Sequence, residues 1–233
     1  MTLFIEKKQL VVPGELLGEG DYLAGTNTYK ENRRVYASRI GLAIPVDNRL
    51  EVVPLKGCYI PCVGDIVVGR VVDVGIPGWS VDIRSPYEAL LPASEVLDRR
   101  SPFSRMDLTK IFDVGDLVMA TVMAFDRTRD PLLTTRDHGL GKVTSGLVVE
   151  ISPMKIPRLI GKKGSMISML KRETGCRIFV GQNGIVLVSG KSPMNERVAI
   201  SAIDIVDREA HTEGLTDRLK ETIRKLMEGG AAV

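Results

Sequence analysis

Hydrophobic and polar positions along this chain change style twice. Over residues 1–59, short apolar runs alternate with turn residues: Leu10-Val11-Val12, then Pro13-Gly14-Glu15, then Gly18-Glu19-Gly20-Asp21. Residues 34–43 and 50–55 repeat the pattern. Short strands at close spacing, punctuated by glycine and proline, predict an antiparallel β unit. Its size predicts a need for a neighbour or partner to complete the core. Over residues 60–138 the apolar runs lengthen. Residues 63–74 read as a turn and a long strand, and Gly78-Trp79-Ser80-Val81-Asp82-Ile83 alternates at period two. Residues 88–92, 115–125 and 131–135 supply three more strands, and five strands in so short a stretch predict a small closed β-barrel. Residues 97–110 are polar and basic and read as an insertion between the third and fourth strands.

Residues 139–233 mix the two periods. Residues 146–151 form a strand. Residues 165–174 place Met166, Ile167, Met169 and Leu170 at helical spacing, and Gly175 stands where a helix ends. Two apolar runs, 176–180 and 185–189, flank Gly181-Gln182-Asn183-Gly184, a hairpin signal. From Pro193 an apolar stripe through Val198, Ile203 and Val206 predicts a long helix. A last helix covers about 215–228, with residues 229–233 fraying beyond it.

Composition narrows the classes. The 233 residues suit two or three small domains better than one, and 44% hydrophobic with 26% charged residues describes an ordered, soluble protein. The net charge is only +3, so a nucleic-acid surface requires local clustering of charge. Cys58, Cys62 and Cys176 suit a reducing compartment better than a disulfide scaffold. Residues 1–10 lack the basic and apolar blocks of a secretory signal, and no apolar run is long enough to span a bilayer. The expected location is cytoplasmic, with no membrane partner.

The run Ile156-Pro157-Arg158-Leu159-Ile160-Gly161-Lys162-Lys163-Gly164-Ser165-Met166-Ile167 carries the candidate chemistry. Two glycines remove side chains from a contact face, and two lysines with the next helix's N–H groups meet phosphates. The bland alternative is a solvated turn. Lys155, Arg158, Lys171, Arg172 and Arg177 outnumber Glu150 and Glu173 nearby, as an electrostatic footprint requires. Lys171 and Arg172 equally suit the C-terminus of a helix, where cations oppose the dipole. Trp79 is a stacking platform or a strand anchor. Arg99, Arg100, Arg105 and Lys110 line an RNA path or a solvated loop. Arg33, Arg34 and Arg39 meet a protein partner or nothing. Cys58 and Cys62 lack a second pair of ligands at zinc spacing and read as buried thiols. His138 and His211 stand outside any motif, and the carboxylates are spread. No nucleophile, acid–base pair, metal site or cofactor is expected.

Strand, short helix, Gly-Lys-Lys-Gly, helix, hairpin and long helix resemble a type I KH domain, whose loop clamps about four nucleotides of a single strand. The middle segment resembles an S1-type barrel of the oligonucleotide-binding (OB) fold, through Gly64-Asp65-Ile66-Val67-Val68-Gly69-Arg70-Val71, Leu90-Leu91-Pro92-Ala93-Ser94-Glu95 and Gly115-Asp116-Leu117-Val118. It departs from that family at 75–79, where Trp79 is left as one aromatic. The order of the parts, beginning with Val11-Val12-Pro13-Gly14-Glu15-Leu16, resembles the RNA-binding cap subunit of the archaeal exosome over essentially the whole chain. The fold class is then multidomain, β-rich plus α+β: N-terminal β domain 1–59, S1 barrel 60–138, KH domain 139–233. The resemblance implies a non-catalytic subunit that docks through its first domain on a hexameric ring of RNase PH-like subunits, three copies per ring. It would feed single-stranded RNA to 3'-to-5' degradation there. The implied RNA contacts are Gly161, Lys162, Lys163, Gly164, Ser165, Arg158, Trp79, Arg99, Arg100 and Arg105. Two rivals are a free-standing S1/KH regulator or chaperone and a phosphorolytic exonuclease. The second would need a large catalytic core, for which this chain has no room.

Overall fold

The computed structural model describes residues 2–55, 57–96, 108–210, 212 and 214–229. The chain forms two compact units, Met1–Gly57 and Cys58–Val233.

The first unit holds eight short strands: β1 (Thr2–Leu3), β2 (Leu10–Val11), β3 (Leu16–Glu19), β4 (Leu23–Ala24), β5 (Thr28–Glu31), β6 (Arg34–Ala37), β7 (Gly41–Val46) and β8 (Arg49–Pro54). They make two four-stranded sheets, ordered β1-β3-β6-β5 and β2-β7-β8-β4. Period-two alternation sends Val11, Leu17, Val35, Ala37, Ala43, Leu50 and Val52 into one shared core. One pairing departs from the antiparallel expectation: β4 runs parallel to β8. The chain leaves one sheet after β3 and returns to it at β5. The two-residue β4 therefore meets the other sheet in passing, too briefly to leave a pattern in the sequence.

The second unit begins with the barrel: β9 (Ile66–Gly75), β10 (Gly78–Asp82), β11 (Ala89–Pro92), β12 (Leu117–Ala124) and β13 (Leu132–Thr134). The order β13-β11-β10-β9-β12 closes when β13 pairs with β12. Val67, Val71, Val81, Leu91, Val118, Val122 and Leu133 fill the interior. A further short strand, β14 (Gly141–Lys142), pairs with Val118 and Met119 of β12, carrying the barrel's sheet past His138. Most of the insertion expected at 97–110 lies outside the described residues. Its end, Leu108–Lys110, forms a single 3-10 turn that leads to buried Phe112.

A three-stranded antiparallel sheet follows, ordered β15-β17-β16, from β15 (Leu147–Glu150), β16 (Arg177–Val180) and β17 (Ile185–Ser189). It packs with α1 (Ile156–Ile160), α2 (Ser165–Thr174), α3 (Pro193–Glu209) and α4 (Leu215–Gly229) around one apolar cluster. Local chemistry sets the boundaries. Gly175 ends α2 at φ 66°, and the Ser192 hydroxyl accepts from Met194 N–H at the start of α3, with Pro193 in the first turn. The strands and helices expected at 165–174, 185–189 and 193 onward are present, as is the barrel.

The hairpin turn does more than reverse the chain. The β9–β10 ladder ends at Arg70 and Asp82, leaving the earlier part of β9 without that neighbour. The turn takes the place. Gln182 N–H donates to Ile66 O at 2.8 Å. The Asn183 amide donates to Val68 O at 2.6 Å and Ile83 O at 2.9 Å, and its Oδ1 accepts from Val68 N–H at 3.3 Å. Asn183 is fully buried. One side chain thus satisfies three backbone groups that would otherwise be buried without partners. Val68, Ile185 and Leu187 pack beside it, and Arg84 pairs with Glu150 at 3.1 Å. The barrel and the α+β domain are joined at this seam.

Candidate nucleic-acid interface

The Gly-Lys-Lys-Gly loop joins α1 to α2. Gly161 turns the chain out of α1 at φ 73°, ψ 173°, while its N–H still donates to Pro157 O at 2.9 Å. A Cβ there would lie 2.8 Å from both Cβ and N of Met166, so the position demands glycine twice over, by conformation and by space. Lys163 is itself left-handed at φ 51°, and Gly164, at φ 76°, leads into α2. Among the described residues no side chain caps the α2 N-terminus. Lys162, Lys163 and Ser165 are exposed, and neither lysine has an ion-pair partner among the described residues. The result is a bare backbone crook with two free ammonium groups and the positive end of a ten-residue helix beside it.

The other expected contacts are differently placed. Trp79 is fully buried; its Nε1 donates to Phe112 O at 2.9 Å and its ring meets Phe112 edge-on, with centroids 5.1 Å apart. It anchors the barrel core and has no free face for a base, so the stacking role is corrected. Its parity in β10 points it inward with Val81. Arg158 is half-buried, and its Nη2 donates to Thr212 O at 3.0 Å, tying α1 to the segment between α3 and α4. Its buried Nε has no partner among the described residues. Arg99, Arg100, Arg105 and His211 lie outside the described residues.

The nearby basic residues do not form one patch. Lys155 pairs with Asp207 at 3.3 Å and Arg172 with Glu173 at 3.0 Å. Lys171 and Arg177 are exposed and line a cleft of about 520 Å³ between the barrel and the β16–β17 sheet. In the first unit Arg33 and Arg34 pair with Asp21 and Glu19, and Glu19 holds the Arg34 guanidinium above its ordinary pKa. Cys58 and Cys62 are exposed rather than buried, because alternate residues Tyr59 and Pro61 take the inward positions. Tyr59 donates to Asp65 at 2.7 Å; burial first, then that bond, raises its pKa. Cys176 is buried, and burial raises its thiol. Among the described residues no His, Cys, Asp and Glu gather as a metal site.

Loop, barrel and seam define a class: a chain that couples two modules of nucleic-acid-binding type behind a separate β-rich unit. Family models resolve it further. The N-terminal domain of exosome RNA-binding protein RRP4 matches residues 8–56, the RRP4 S1 domain residues 58–124, and the KH domain residues 146–204. The exosome complex component Rrp4 of Thermococcus kodakarensis is 47% identical over 234 aligned residues, covering 98% of this chain and 91% of the relative. That of Thermofilum pendens is 44% identical over 228, covering 97% and 96%. A crystal structure of a protein assigned as an exosome complex RNA-binding protein superposes with a TM-score of 0.70 at 43% identity, covering 74% of this chain and 98% of that one. The chain belongs to the Rrp4 family of exosome components.

Proposed function

We propose that this chain is the RNA-binding cap subunit of an archaeal exosome. It docks through its first unit on a ring of RNase PH-like subunits, three copies per ring, and gathers single-stranded RNA over the entrance pore. The 3'-to-5' chemistry resides in the ring; this chain is not itself an enzyme, and it acts in the cytoplasm. The observation that carries the reading is the whole-chain match to Rrp4 relatives, which spans all three parts in one order.

Two structural features support it. The loop exposes Lys162 and Lys163 on a backbone free of side chains, the chemistry a phosphate strand needs. The outer face of the β2-β7-β8 sheet aligns Leu10 with Leu42 and Leu42 with Val53. Leu10 is 54% exposed and Val53 42%, an apolar ladder suited to a protein surface. Weak grips suffice, since several linked modules raise the local concentration of RNA. Mixing the full chain with RNase PH-like ring subunits at micromolar concentration, followed by sizing, tests the assembly. Co-elution is expected, and Leu10→Lys with Val53→Lys should abolish it while the circular dichroism spectrum is kept. A chain that stays monomeric beside the ring would instead be a free-standing RNA binder.

A further inference from the structure

The cleft between the barrel and the β16–β17 sheet holds the second cluster of cations with no assigned task. Its volume of about 520 Å³ lies within the usual range for a small-molecule site. Its floor is apolar, with Met119 of the barrel facing Phe179 and Leu187 of the sheet, and Phe179 is only half-buried. Its rim carries Lys142, Lys171 and Arg177, and no carboxylate among the described residues lines it. Lys142 is already paired with Asp116. Lys171 and Arg177 have no protein partner among the described residues. Favourable interaction with the α2 dipole accounts for Lys171 in the last turn, but not for Arg177, which begins β16. Nor does it account for an aromatic floor beside two free cations.

We infer that this cleft is a second single-stranded RNA subsite, taking one nucleotide with its base against Phe179 and its phosphate between Lys171 and Arg177. The inference rests on the RNA-binding reading above and extends it. The chemistry is that of single-strand sites generally: a stacking surface for any base and cations for the backbone. Its placement suits a continuing strand. Lys171 stands six residues beyond Ser165 on α2, about 9 Å along the helix axis. RNA held at the Gly161–Gly164 loop can therefore run along α2 into the cleft. Because the Asn183 turn fixes the barrel against the sheet, the cleft's two walls are held in register.

The test uses the full chain, fluorescence anisotropy, tetra-adenylate and dodeca-adenylate in a salt series. The double variant Lys171→Gln/Arg177→Gln should bind tetra-adenylate as the parent does. It should bind dodeca-adenylate on the order of tenfold more weakly, with the slope of log affinity against log salt shallower by about 0.7, the value for one phosphate contact on a single strand. Phe179→Leu, which keeps apolar bulk and removes the ring, should weaken the longer oligomer without changing the slope. Free AMP should not displace dodeca-adenylate at concentrations where RNA competitor does; equal competition would overturn a strand-bound site. Parent-like affinity and slope in the double variant, with Lys162→Asp/Lys163→Asp still impaired, would overturn the cleft alone. If the parent binds neither oligomer, the RNA-binding reading fails and the cleft with it.

Discussion

Replacing Asn183 by alanine should separate two domains that otherwise melt as one. The side chain is fully buried and makes three hydrogen bonds to the backbone of Val68 and Ile83, more than a hundred residues away for Val68. Each buried backbone group left without a partner costs about 1–3 kcal/mol. The three are neighbours and water entering the gap offsets part of the loss, so a total of about 3 kcal/mol is expected. At about 2–4 °C per kcal/mol for a unit of this size, melting falls by about 6–12 °C. Trp79 is the only tryptophan and lies in the barrel, whereas the four α-helices of the described residues belong to the other domain. Tryptophan fluorescence and far-ultraviolet ellipticity therefore follow different halves of the unit. In the parent the two signals should melt together; in Asn183→Ala they should part. Asn183→Asp should be no better, because a carboxylate would face the carbonyls of Val68 and Ile83. Coincident melting of the alanine variant within about 1 °C of the parent, less than about 0.5 kcal/mol, would refute the role given to this side chain.

Lys162→Asp/Lys163→Asp should weaken oligo(A) binding and flatten its salt slope by about 1.4, with unchanged melting because both side chains are exposed. Gly161→Ala should cost about 2 kcal/mol or more and reduce RNA affinity, since its Cβ would collide with Met166 on top of the positive φ; Gly164→Ala, strained by its positive φ but meeting no close neighbour, should cost about 1–2 kcal/mol; denaturant titration separates the two. The Asp116 carboxyl is held below its ordinary pKa by its bond from Lys142 and then by Asp113 N–H. That contribution is fully present above about pH 4, the unfolded value, and is lost as pH falls through the lower folded value. Asp116→Asn should thus lose up to about 1 kcal/mol at pH 7 and show a shallower acid limb; identical limbs in denaturation series at neutral and acid pH would contradict the assignment.

What could be read in advance depended on how local the cause was. Helix α2 was legible because Met166, Met169 and Leu170 repeat at helical spacing and Gly175 stops them within ten residues. The loop was legible because both glycines serve conformations set by their immediate neighbours. The hairpin at 181–184 was legible as a turn, but its docking on β9 was not. Nothing around Asn183 encodes a partner strand that far away in sequence. Trp79 shows the limit of period two: alternation places it on one face of β10 but does not say which face is inside. The basic surplus near the loop misled for a related reason. Lys155 and Arg158 are consumed by α3 and the segment after it, and Lys171 and Arg177 face a cleft that exists only once barrel and sheet meet. The only hint available was an aromatic at Phe179 two residues after Arg177 on the same strand face.

The measurement that bears most directly on the central claim is native mass spectrometry of the full chain mixed with an RNase PH-like ring and dodeca-adenylate. One assembly containing ring, three copies of this chain and bound RNA is expected, with RNA retention falling when Lys162 and Lys163 are replaced by aspartate. Ring and chain appearing only as separate species at micromolar concentration would contradict it.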